Sequence, residues 1–403
     1  MGKKYQKVCR LCGSSNLLEV IKLEDSPLCD EYLKKEIEQS IYPLGLNLCS
    51  ICNFVQLNFV IPPEIIYKNY IYVTTSSHGL EKHFKKYVSD VTAILKLKSK
   101  KLVVDIGSND GTLLGFFKKK GHNVIGVEPA SETAKKANQK NINTLDKFFD
   151  MQVSQHIVET YGHAEIVTIN NLFANIVDLN FFMEAIDKLL DKNGVLIIES
   201  SYLYKMMDNM VFDFIYHEHL SYLSVSPLIR WLKSKNLKII FIQDINTKGG
   251  SLRYYISRDT YALDVDFDID TYLIEEEKGK KLEIIFKKFQ DAINFNGMAL
   301  TKILENYKGK KIVGYGASAT STTLISQYKL YDYIDYLIDD NEMKINTYSP
   351  KYHIPVFSIE HLKNNKPDVI IILAWRYKNE IIKKLKNFKI PIIIPLPEAR
   401  IEN

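Results

Sequence analysis

The clearest structural pattern in this chain is Val103-Val104-Asp105-Ile106-Gly107-Ser108-Asn109-Asp110-Gly111-Thr112. An apolar run ends at an acidic residue, glycines follow at 107 and 111, and a helical pattern begins near Thr112. This order is typical of a buried strand, a tight turn and a helix at the carboxyl edge of a parallel sheet. Strand and helix patterns alternate onward to Val195–Glu199, which predicts a doubly wound α/β fold with a parallel sheet.

A second α/β unit is predicted after a Glu- and Lys-rich helical region at 275–306. It begins with a strand at Lys311–Tyr315 and contains the turn Gly314-Tyr315-Gly316-Ala317-Ser318-Ala319. A G-x-G-x-x-A turn between strand and helix can bind a pyrophosphate on backbone N–H groups. Asp339 follows the next strand. The pattern suits either NAD or the phosphates of a nucleotide-linked substrate.

The composition narrows the class of protein. The chain has 403 residues, 46% of them hydrophobic and 25% charged, with a net charge of +5. This length predicts several domains, which we place at 1–75, 76–260 and 261–403. The small net charge does not favour a nucleic-acid partner, and no apolar run approaches the roughly 18 residues of a membrane span. Without a signal-peptide core at the start, a cytoplasmic location is expected. Monomer and dimer both stay open.

Five cysteines stand near the N-terminus. Cys9 and Cys12 form one C-x-x-C pair, and Cys49 and Cys52 form another. Each pair can supply half of a tetrahedral zinc site, and four thiolates leave no open position for catalysis. The sequence therefore predicts a structural Zn²⁺ site, with four incidental buried cysteines as the alternative. Cys29 has no pair.

The glycine turn at 107–111 is predicted to bind a cofactor. D-x-G-x-x-x-G followed by Glu128 at the end of the next strand is similar to the S-adenosylmethionine site of class I methyltransferases. A generic strand-turn-helix unit is the alternative. The residues expected to bind the cofactor are Asp105, Gly107, Asn109, Asp110, Gly111, Glu128 and Asn170.

The segment Phe212-Asp213-Phe214-Ile215-Tyr216-His217-Glu218-His219 indicates proton abstraction. Histidine exchanges a proton near neutral pH, and a neighbouring carboxylate can raise its basicity. Two alternating histidines also suggest a metal, but spacing offers no third ligand. Polar loop residues without a chemical role are the plain alternative.

Two further stretches offer hydroxyls and a positive charge. Tyr70 and Tyr72 precede the cofactor turn and can close over a ligand or simply pack in a core. Lys248-Gly249-Gly250-Ser251-Leu252-Arg253 contains a glycine turn and an arginine that can pair with phosphate bidentately.

Together these motifs resemble the nucleotide-sugar C-methyltransferases that make branched-chain deoxysugars. The resemblance spans the chain and implies an N-terminal zinc-binding domain, a central S-adenosylmethionine domain and a C-terminal Rossmann-like domain. It implies that His219 is the base, that Tyr216 and Glu218 orient the base or the substrate, and that Tyr70 or Tyr72 enters the active site.

The resemblance also implies the substrate, a 4-keto-deoxysugar on a nucleoside diphosphate, methylated at C3 through an enolate. Tyr216, Asn171 and Asn175 are candidate donors to that enolate. The family often has a histidine where this chain has Asn175, which cannot relay a proton at neutral pH. The sugar's stereochemistry or the methylated carbon is therefore open. Substrate contacts are expected at His217, Arg253, Gly314, Gly316, Ser318 and Asp339.

Two rival functions are retained. One is a methyltransferase of RNA or protein with a zinc knuckle for partner binding, which the mild charge disfavours. The other is an NAD-dependent sugar oxidoreductase that uses Gly314 to Ala319.

Overall fold

The computed structural model of the chain describes residues 2, 4–66, 79–98, 100–263, 265, 267–278 and 281–402. The predicted architecture is confirmed: a cysteine cluster near the N-terminus precedes two separate sheets that are flanked by helices. Tyr70 and Tyr72 lie outside the described residues.

The N-terminal part contains two small antiparallel sheets. Its elements are β1 (Lys4–Tyr5), β2 (Leu17–Lys22), β3 (Gly45–Cys49), β4 (Val55–Leu57), β5 (Phe59–Val60) and α1 (Pro63–Ile66). One sheet consists of β1 and β5, and in the other β2, β3 and β4 are neighbours in that order. β4 pairs on its outer side with Ser221–Tyr222, two residues after His219. The cysteine-bearing sheet is thus continuous with the end of the histidine segment.

The central part is the predicted doubly wound unit. Its elements are α2 (Leu80–Ile94), β6 (Leu102–Ile106), α3 (Thr112–Lys119), β7 (Asn123–Val127), α4 (Ser131–Gln139), β8 (Thr144–Leu145), α5 (Met151–Tyr161), β9 (Ala164–Asn170), α6 (Leu179–Leu189), β10 (Leu190–Ser201), α7 (Leu203–Asp208), β11 (Ser221–Tyr222), α8 (Val225–Lys233), β12 (Leu237–Ile245) and β13 (Ser251–Arg258).

The sheet order is β12-β13-β10-β9-β6-β7-β8. The strands from β10 to β8 are parallel, but β13 runs antiparallel to both β10 and β12. The strands that the sequence predicted in this unit, up to Val195–Glu199, are parallel as expected. β12 and β13 lie beyond those predicted strands and add an antiparallel edge, because the short turn at 246–250 can join only antiparallel neighbours. The chain order reverses between β6 and β9, and a ligand of such a sheet binds at the carboxyl ends of these strands.

The C-terminal part is a second α/β unit. Its elements are α9 (Asp270–Lys278), α10 (Leu282–Glu305), β14 (Ile312–Tyr315), α11 (Ala319–Gln327), β15 (Tyr336–Ile338), β16 (Val356–Phe357), β17 (Val369–Ile372), α12 (Lys378–Leu385), β18 (Ile392–Ile394) and β19 (Arg400–Glu402). The sheet order is β16-β15-β14-β17-β18-β19, parallel except for β19. Its switch point lies between β14 and β17.

The three parts share hydrophobic cores. One cluster joins Leu46 of the N-terminal sheet, Phe212 of the histidine segment and Leu324 of α11. A second joins Cys49 to Val104 and Phe173 of the central part. Burial of these apolar surfaces fixes the parts against one another. Among the described helices, none combines the length and apolarity that a membrane span requires.

Candidate active site

The four paired cysteines form one cluster. The sulfur atoms of Cys9, Cys12, Cys49 and Cys52 all lie within 4.8 Å of one another. Cys9 and Cys52 are 3.6 Å apart, and Cys12 and Cys49 are 3.7 Å apart. Tetrahedral zinc with Zn–S bonds of about 2.3 Å needs sulfur separations of roughly 3.8 Å. The hydrogen bond with Cys52 lowers the pKa of Cys9 to about 5, which suits a thiolate ligand. These residues fit a structural Zn²⁺ site.

The zinc knuckle supports the central domain through Arg10. Its buried guanidinium donates to Ser221 Oγ at 2.9 Å, to the Val177 carbonyl at 2.9 Å and to the Ile176 carbonyl. Its backbone N–H donates to Gln56 Oε1 at 2.8 Å. The knuckle therefore holds the loop that follows Asn175 and the strand that follows His219.

Polar side chains meet at the first switch point, as the sequence predicted. Asp105 ends β6 and accepts from Thr168 Oγ1 at 2.6 Å and from Asn170 Nδ2 at 3.3 Å. Burial raises the pKa of Asp105 to about 7. Within the described part of the chain, Asn170 Oδ1 is buried with no hydrogen-bond partner. An acid and an unsatisfied amide oxygen fit a cationic, hydroxyl-bearing ligand such as S-adenosylmethionine.

The other predicted cofactor residues surround this point. Gly107 and Gly111 both have φ of +74°, which turns the chain into α3. Glu128 accepts from the backbone N–H of Asn109 at 3.0 Å and of Ala130 at 2.9 Å, and its burial raises its pKa. Glu128 and Asn109 thus lie at the edge of the sheet where the cofactor is predicted to bind.

Asp110 is placed differently. Its carboxylate accepts from Thr112 Oγ1 at 2.6 Å and pairs with Lys140 at 3.0 Å. It therefore anchors the start of α3 to the residue after α4.

His219 is held in one tautomer. The Phe214 carbonyl can only accept, so the 3.0 Å contact places the proton on Nδ1. Nε2 then carries the lone pair and accepts from the Tyr216 hydroxyl at 3.0 Å. Burial lowers the pKa of His219 to about 4. The imidazole is therefore neutral at pH 7, with its basic nitrogen defined by geometry.

His219 lines a cavity at the carboxyl ends of β9 and β10. The other lining residues are Asn171, Ala174, Ser200, Ser201, Leu203, Met206, Phe214, Ser221, Tyr222 and Lys248. Asn171, with φ of +55°, donates its N–H to the Glu199 carbonyl at 2.8 Å. Asn175 closes the short 3₁₀ helix Phe173–Asn175, beside Ala174. The structure thus brings His219 and Asn171 together.

Glu218 faces a neighbouring cavity, with Cys29, Asp30 and His217. Burial and then the charge of Asp30 raise the pKa of Glu218 to about 7, and the Cys29 thiol lies 3.7 Å from Glu218 Oε1. Cys29, unpaired in the sequence, is thus a neighbour of the histidine segment.

His217 is an anchor to the N-terminal domain. It is 1% exposed, and its Nε2–H donates to the Pro43 carbonyl at 3.1 Å. Among the described residues, its Nδ1 makes no hydrogen bond. Burial lowers the pKa of His217 to about 4, so the ring is neutral.

Arg253 lies inside the central domain. It is 1% exposed and donates to Glu199 Oε2 at 2.8 Å and to Gln243 Oε1 at 2.8 Å, with its guanidinium 3.7 Å from the centre of the Tyr87 ring. His83 donates to the other Glu199 oxygen at 2.6 Å. Burial alone would raise the pKa of Glu199, but these two partners bring it below its usual value. The Arg253 guanidinium is therefore bonded to groups of the protein itself, and its predicted contact with a phosphate stays a prediction.

The turn of the second sheet bonds to its own chain. Asp339 accepts from the backbone N–H of Ala317 at 2.5 Å and of Asn341 at 2.8 Å. Ser318 Oγ accepts from the N–H of Ser321 at 3.3 Å and caps α11. Gly314 is buried in β14, and Gly316 follows that strand with φ of +120°.

The second switch point contains a carboxylate from the histidine segment. Asp213 is fully buried and accepts from Trp375 Nε1 at 3.0 Å and from Arg376 at 2.8 and 3.0 Å. Arg376 also donates to Thr320 Oγ1 at 3.2 Å and lies 4.5 Å from the centre of the Phe214 ring. The C-terminal domain therefore binds the segment that contains His219, through Asp213.

Sequence reasoning missed three groups: Lys248, the His83–Glu199 pair, and the Asp213–Arg376 pair. Glu199 had a usable signal, because it is an acid at the carboxyl end of a strand, as Asp105 is. Lys248 also had one, since it precedes a Gly-Gly turn. Asp213 and Arg376 have no local signal.

Three consecutive parts of the chain match known families. Residues 9–67 match the family described as "Putative zinc binding domain". Residues 80–241 match "Methyltransferase domain", and residues 246–397 match "C-methyltransferase C-terminal domain". The chain is also 29% identical to C-methyltransferase NovU of Streptomyces niveus, with 98% of this chain and 96% of that protein covered. These matches confirm the resemblance to C-methyltransferases.

Solved structures also resemble the chain over about half its length. One is the magnesium protoporphyrin IX methyltransferase ChlM of Synechocystis PCC 6803 with bound SAH, at 15% identity, covering 49% of this chain and 92% of that one with a TM-score of 0.36. Another is an S-adenosylmethionine-dependent methyltransferase of Clostridium acetobutylicum ATCC 824, at 15% identity, 48% and 95% coverage and a TM-score of 0.35.

Proposed function

We propose a substrate and a mechanism for this chain, which is an S-adenosylmethionine-dependent C-methyltransferase. The substrate is a nucleoside-diphosphate-linked 4-keto-deoxysugar, and the methyl group is added at C3. The observation that carries the proposal is the neutral His219, whose Nε2 lone pair is defined by the Phe214 carbonyl and which lines a cavity beside the first switch point. An imidazole with a lone pair on a defined nitrogen is able to take a proton from the carbon next to a ketone.

The residues act in sequence on the sugar. His219 Nε2 takes the C3 proton, and the electron pair moves onto the C4 oxygen. The Tyr216 hydroxyl, which donates to Nε2, turns away when that nitrogen takes the proton and can then donate to the enolate oxygen. Asn171 and Asn175 are further candidate donors. S-adenosylmethionine, when bound, would supply an electrophilic methyl group. C3 would bond to that methyl as the methyl–sulfur bond breaks with its electrons left on sulfur, so that S-adenosylhomocysteine leaves and the ketone re-forms.

The low pKa of His219 has a chemical consequence. A base with a pKa of about 4 is a weak acceptor in the ground state. The transfer creates an imidazolium and an enolate at the same time. It becomes favourable only because the attraction between these two charges inside the cavity stabilises them. The cavity's apolar walls, Leu203, Met206 and Phe214, keep water from separating that pair.

The nucleotide contacts at Gly314, Gly316, Ser318 and Asp339 stay a prediction. The structure supports a more limited role for this turn, because the Ala317 N–H and the Asp339 carboxylate bond to each other. The zinc knuckle is proposed to be structural in this enzyme. Arg10 is committed to the central domain, which speaks against a knuckle that binds RNA or protein.

The substrate is tested by incubating the enzyme with labelled methyl donor and a panel of nucleotide-linked keto-sugars, with products identified by mass spectrometry. Methylation of RNA or protein with no keto-sugar product would reject the proposal.

The base is tested with His219→Asn. We expect loss of methyl transfer by about 10²–10⁴-fold with donor affinity unchanged. His217→Asn is the matched control, since it alters a neighbouring histidine that contacts Pro43. Normal turnover by His219→Asn would remove that residue from the base role.

A further inference from the structure

Lys248 stands in a strained turn between β12 and β13. Its φ is +53°, in the left-handed region that is unfavourable for a residue other than glycine. The turn is nonetheless held firmly: Gly250 N–H donates to the Thr247 carbonyl at 2.9 Å, and Asn209 Nδ2 donates to the Gly249 carbonyl at 3.0 Å. Strain that the surrounding structure maintains is common where a side chain must point in a required direction.

The direction here is toward the base. Lys248 lines the same cavity as His219 and Asn171. Among the described residues, the Lys248 ammonium makes no hydrogen bond or close ion pair, although it feels the charges of Glu199 and Glu218 and lysine has three N–H donors. A half-buried ammonium beside a cavity, with its donors uncommitted to described groups, is placed to meet a negative charge on a ligand.

The charge state of Lys248 suits such a role. Burial lowers its pKa to about 8, while the more distant carboxylates of Glu199 and Glu218 raise it and Arg376 lowers it further. The side chain is therefore mostly protonated at pH 7. His219, whose pKa the Lys248 charge also lowers, is neutral at the same pH. One group can accept a proton while its neighbour keeps a positive charge.

We propose that Lys248 is a further catalytic residue, whose ammonium donates a hydrogen bond to the enolate oxygen that forms when His219 removes the sugar proton. This inference rests on the proposed function. The C3–H bond breaks, its proton goes to His219 Nε2, and its electron pair forms the C3–C4 double bond while the C4–O bond becomes single. Lys248 keeps its three protons throughout. When C3 bonds to the methyl group, the methyl–sulfur bond would break with its electron pair left on sulfur, the ketone re-forms and the charge on the oxygen disappears.

A cation is better suited to this task than the neutral donors nearby. The Asn171 amide and the Tyr216 phenol are dipoles, whereas an ammonium attracts the oxygen anion directly. That attraction is strongest where little water can enter, and Leu203, Met206 and Phe214 form part of the cavity wall. The carbonyl oxygen of the ground state carries less charge, so the interaction stabilises the transition state selectively.

The test uses the full chain and three substitutions. Lys248→Met removes the charge, Lys248→Asn removes it with a residue that tolerates left-handed backbone, and Lys248→Arg retains it. The first readout is deuterium uptake from D₂O at the acidic carbon of the keto-sugar, with S-adenosylhomocysteine in place of the donor. The second is kcat and KM with the donor present. The unfolding midpoint checks that each variant is folded.

We expect Lys248→Met and Lys248→Asn to lower both the exchange rate and kcat by about 10²–10³-fold, with KM within about threefold of wild type. Lys248→Arg should keep more activity than either. A rise in KM with unchanged kcat would overturn the inference in favour of a phosphate contact. A borohydride-trapped sugar adduct on Lys248 would overturn it in favour of a covalent imine.

The same experiment separates this inference from the proposed function. If wild type exchanges no proton of any keto-sugar, the proposed function fails and the inference fails with it. If exchange is lost in His219→Asn but retained in both uncharged Lys248 variants, the proposed function survives and the role of Lys248 is rejected.

Discussion

The two sheets of this enzyme reach their switch points with similar glycine turns but hold different groups there. Between β6 and β9, Asp105 and Asn170 meet, and Asn170 Oδ1 is left without a partner among the described residues. Between β14 and β17, the Asp213 carboxylate enters from the histidine segment and is bound by Trp375 and Arg376. One switch point has polar groups available to a ligand, and the other already contains an anion from its own chain.

This difference shows that a dinucleotide-like turn can serve an internal purpose. The acids that follow β7 and β15 behave alike, since Glu128 and Asp339 each accept from two backbone N–H groups. What differs is the neighbouring strand. β9 ends in amide side chains, whereas β17 is followed by an indole and a guanidinium that bind a carboxylate. The second unit thereby fixes Phe214, whose carbonyl sets the His219 tautomer.

The largest expected effect comes from breaking the second switch point. Arg376→Met leaves the fully buried Asp213 with only the Trp375 N–H among the described residues, and an uncompensated buried charge costs about 3–5 kcal/mol. Urea unfolding should show this loss. Adding Asp213→Leu to the same variant should restore part of it, because the pair is then replaced by apolar groups. A loss below about 1 kcal/mol in Arg376→Met would mean that the pair is solvated and does not fix the segment.

A pH effect is expected at the first switch point. The pKa of Asp105 is raised from 3.8 to about 7 by burial, so between these values the folded state keeps a proton that the unfolded state has released. Stability from this group is full below about pH 4 and is lost as pH rises to about 7, at up to about 1.4 kcal/mol per pH unit. Thermal unfolding of wild type and Asp105→Asn between pH 4.5 and 7.5 measures the difference. If stability changes with pH in the same way in wild type and in Asp105→Asn, the raised pKa of Asp105 is contradicted.

A matched pair of glycine substitutions compares the two turns directly. A Cβ at Gly107, with φ of +74°, would lie 2.8 Å from Leu172 Cδ2, and one at Gly316, with φ of +120°, would lie 2.8 Å from Ala374 Cβ. Each change to alanine should cost about 1–3 kcal/mol of stability. Only Gly107→Ala should also weaken binding of the methyl donor, by about tenfold in calorimetry. Equal donor affinities in the two variants would remove the distinction between the turns.

The first switch point was predictable from sequence because its signals are local. The acid, the glycines and the helix start lie within the ten residues from Val103 to Thr112. The ion pair between Asp213 and Arg376 was not predictable, because the two residues lie 163 positions apart and no period or spacing links them. Arg253 shows the same limit: its glycine turn suggested a phosphate, but its partner Glu199 is 54 positions away across a strand pair.

The smallest expected effect is the absence of nicotinamide binding at the second switch point. A pyrophosphate there would need the Ala317 N–H, which the Asp339 carboxylate already accepts at 2.5 Å, and would lie against that carboxylate. Like charges repel, and the Arg376 guanidinium is already paired with Asp213, so NADH should produce no saturable change in its fluorescence on mixing with the enzyme. Gly316→Ala serves as the control for any weak signal. Saturable binding that this substitution abolishes would show that the second turn is a dinucleotide site after all, and the contrast between the two sheets would no longer hold.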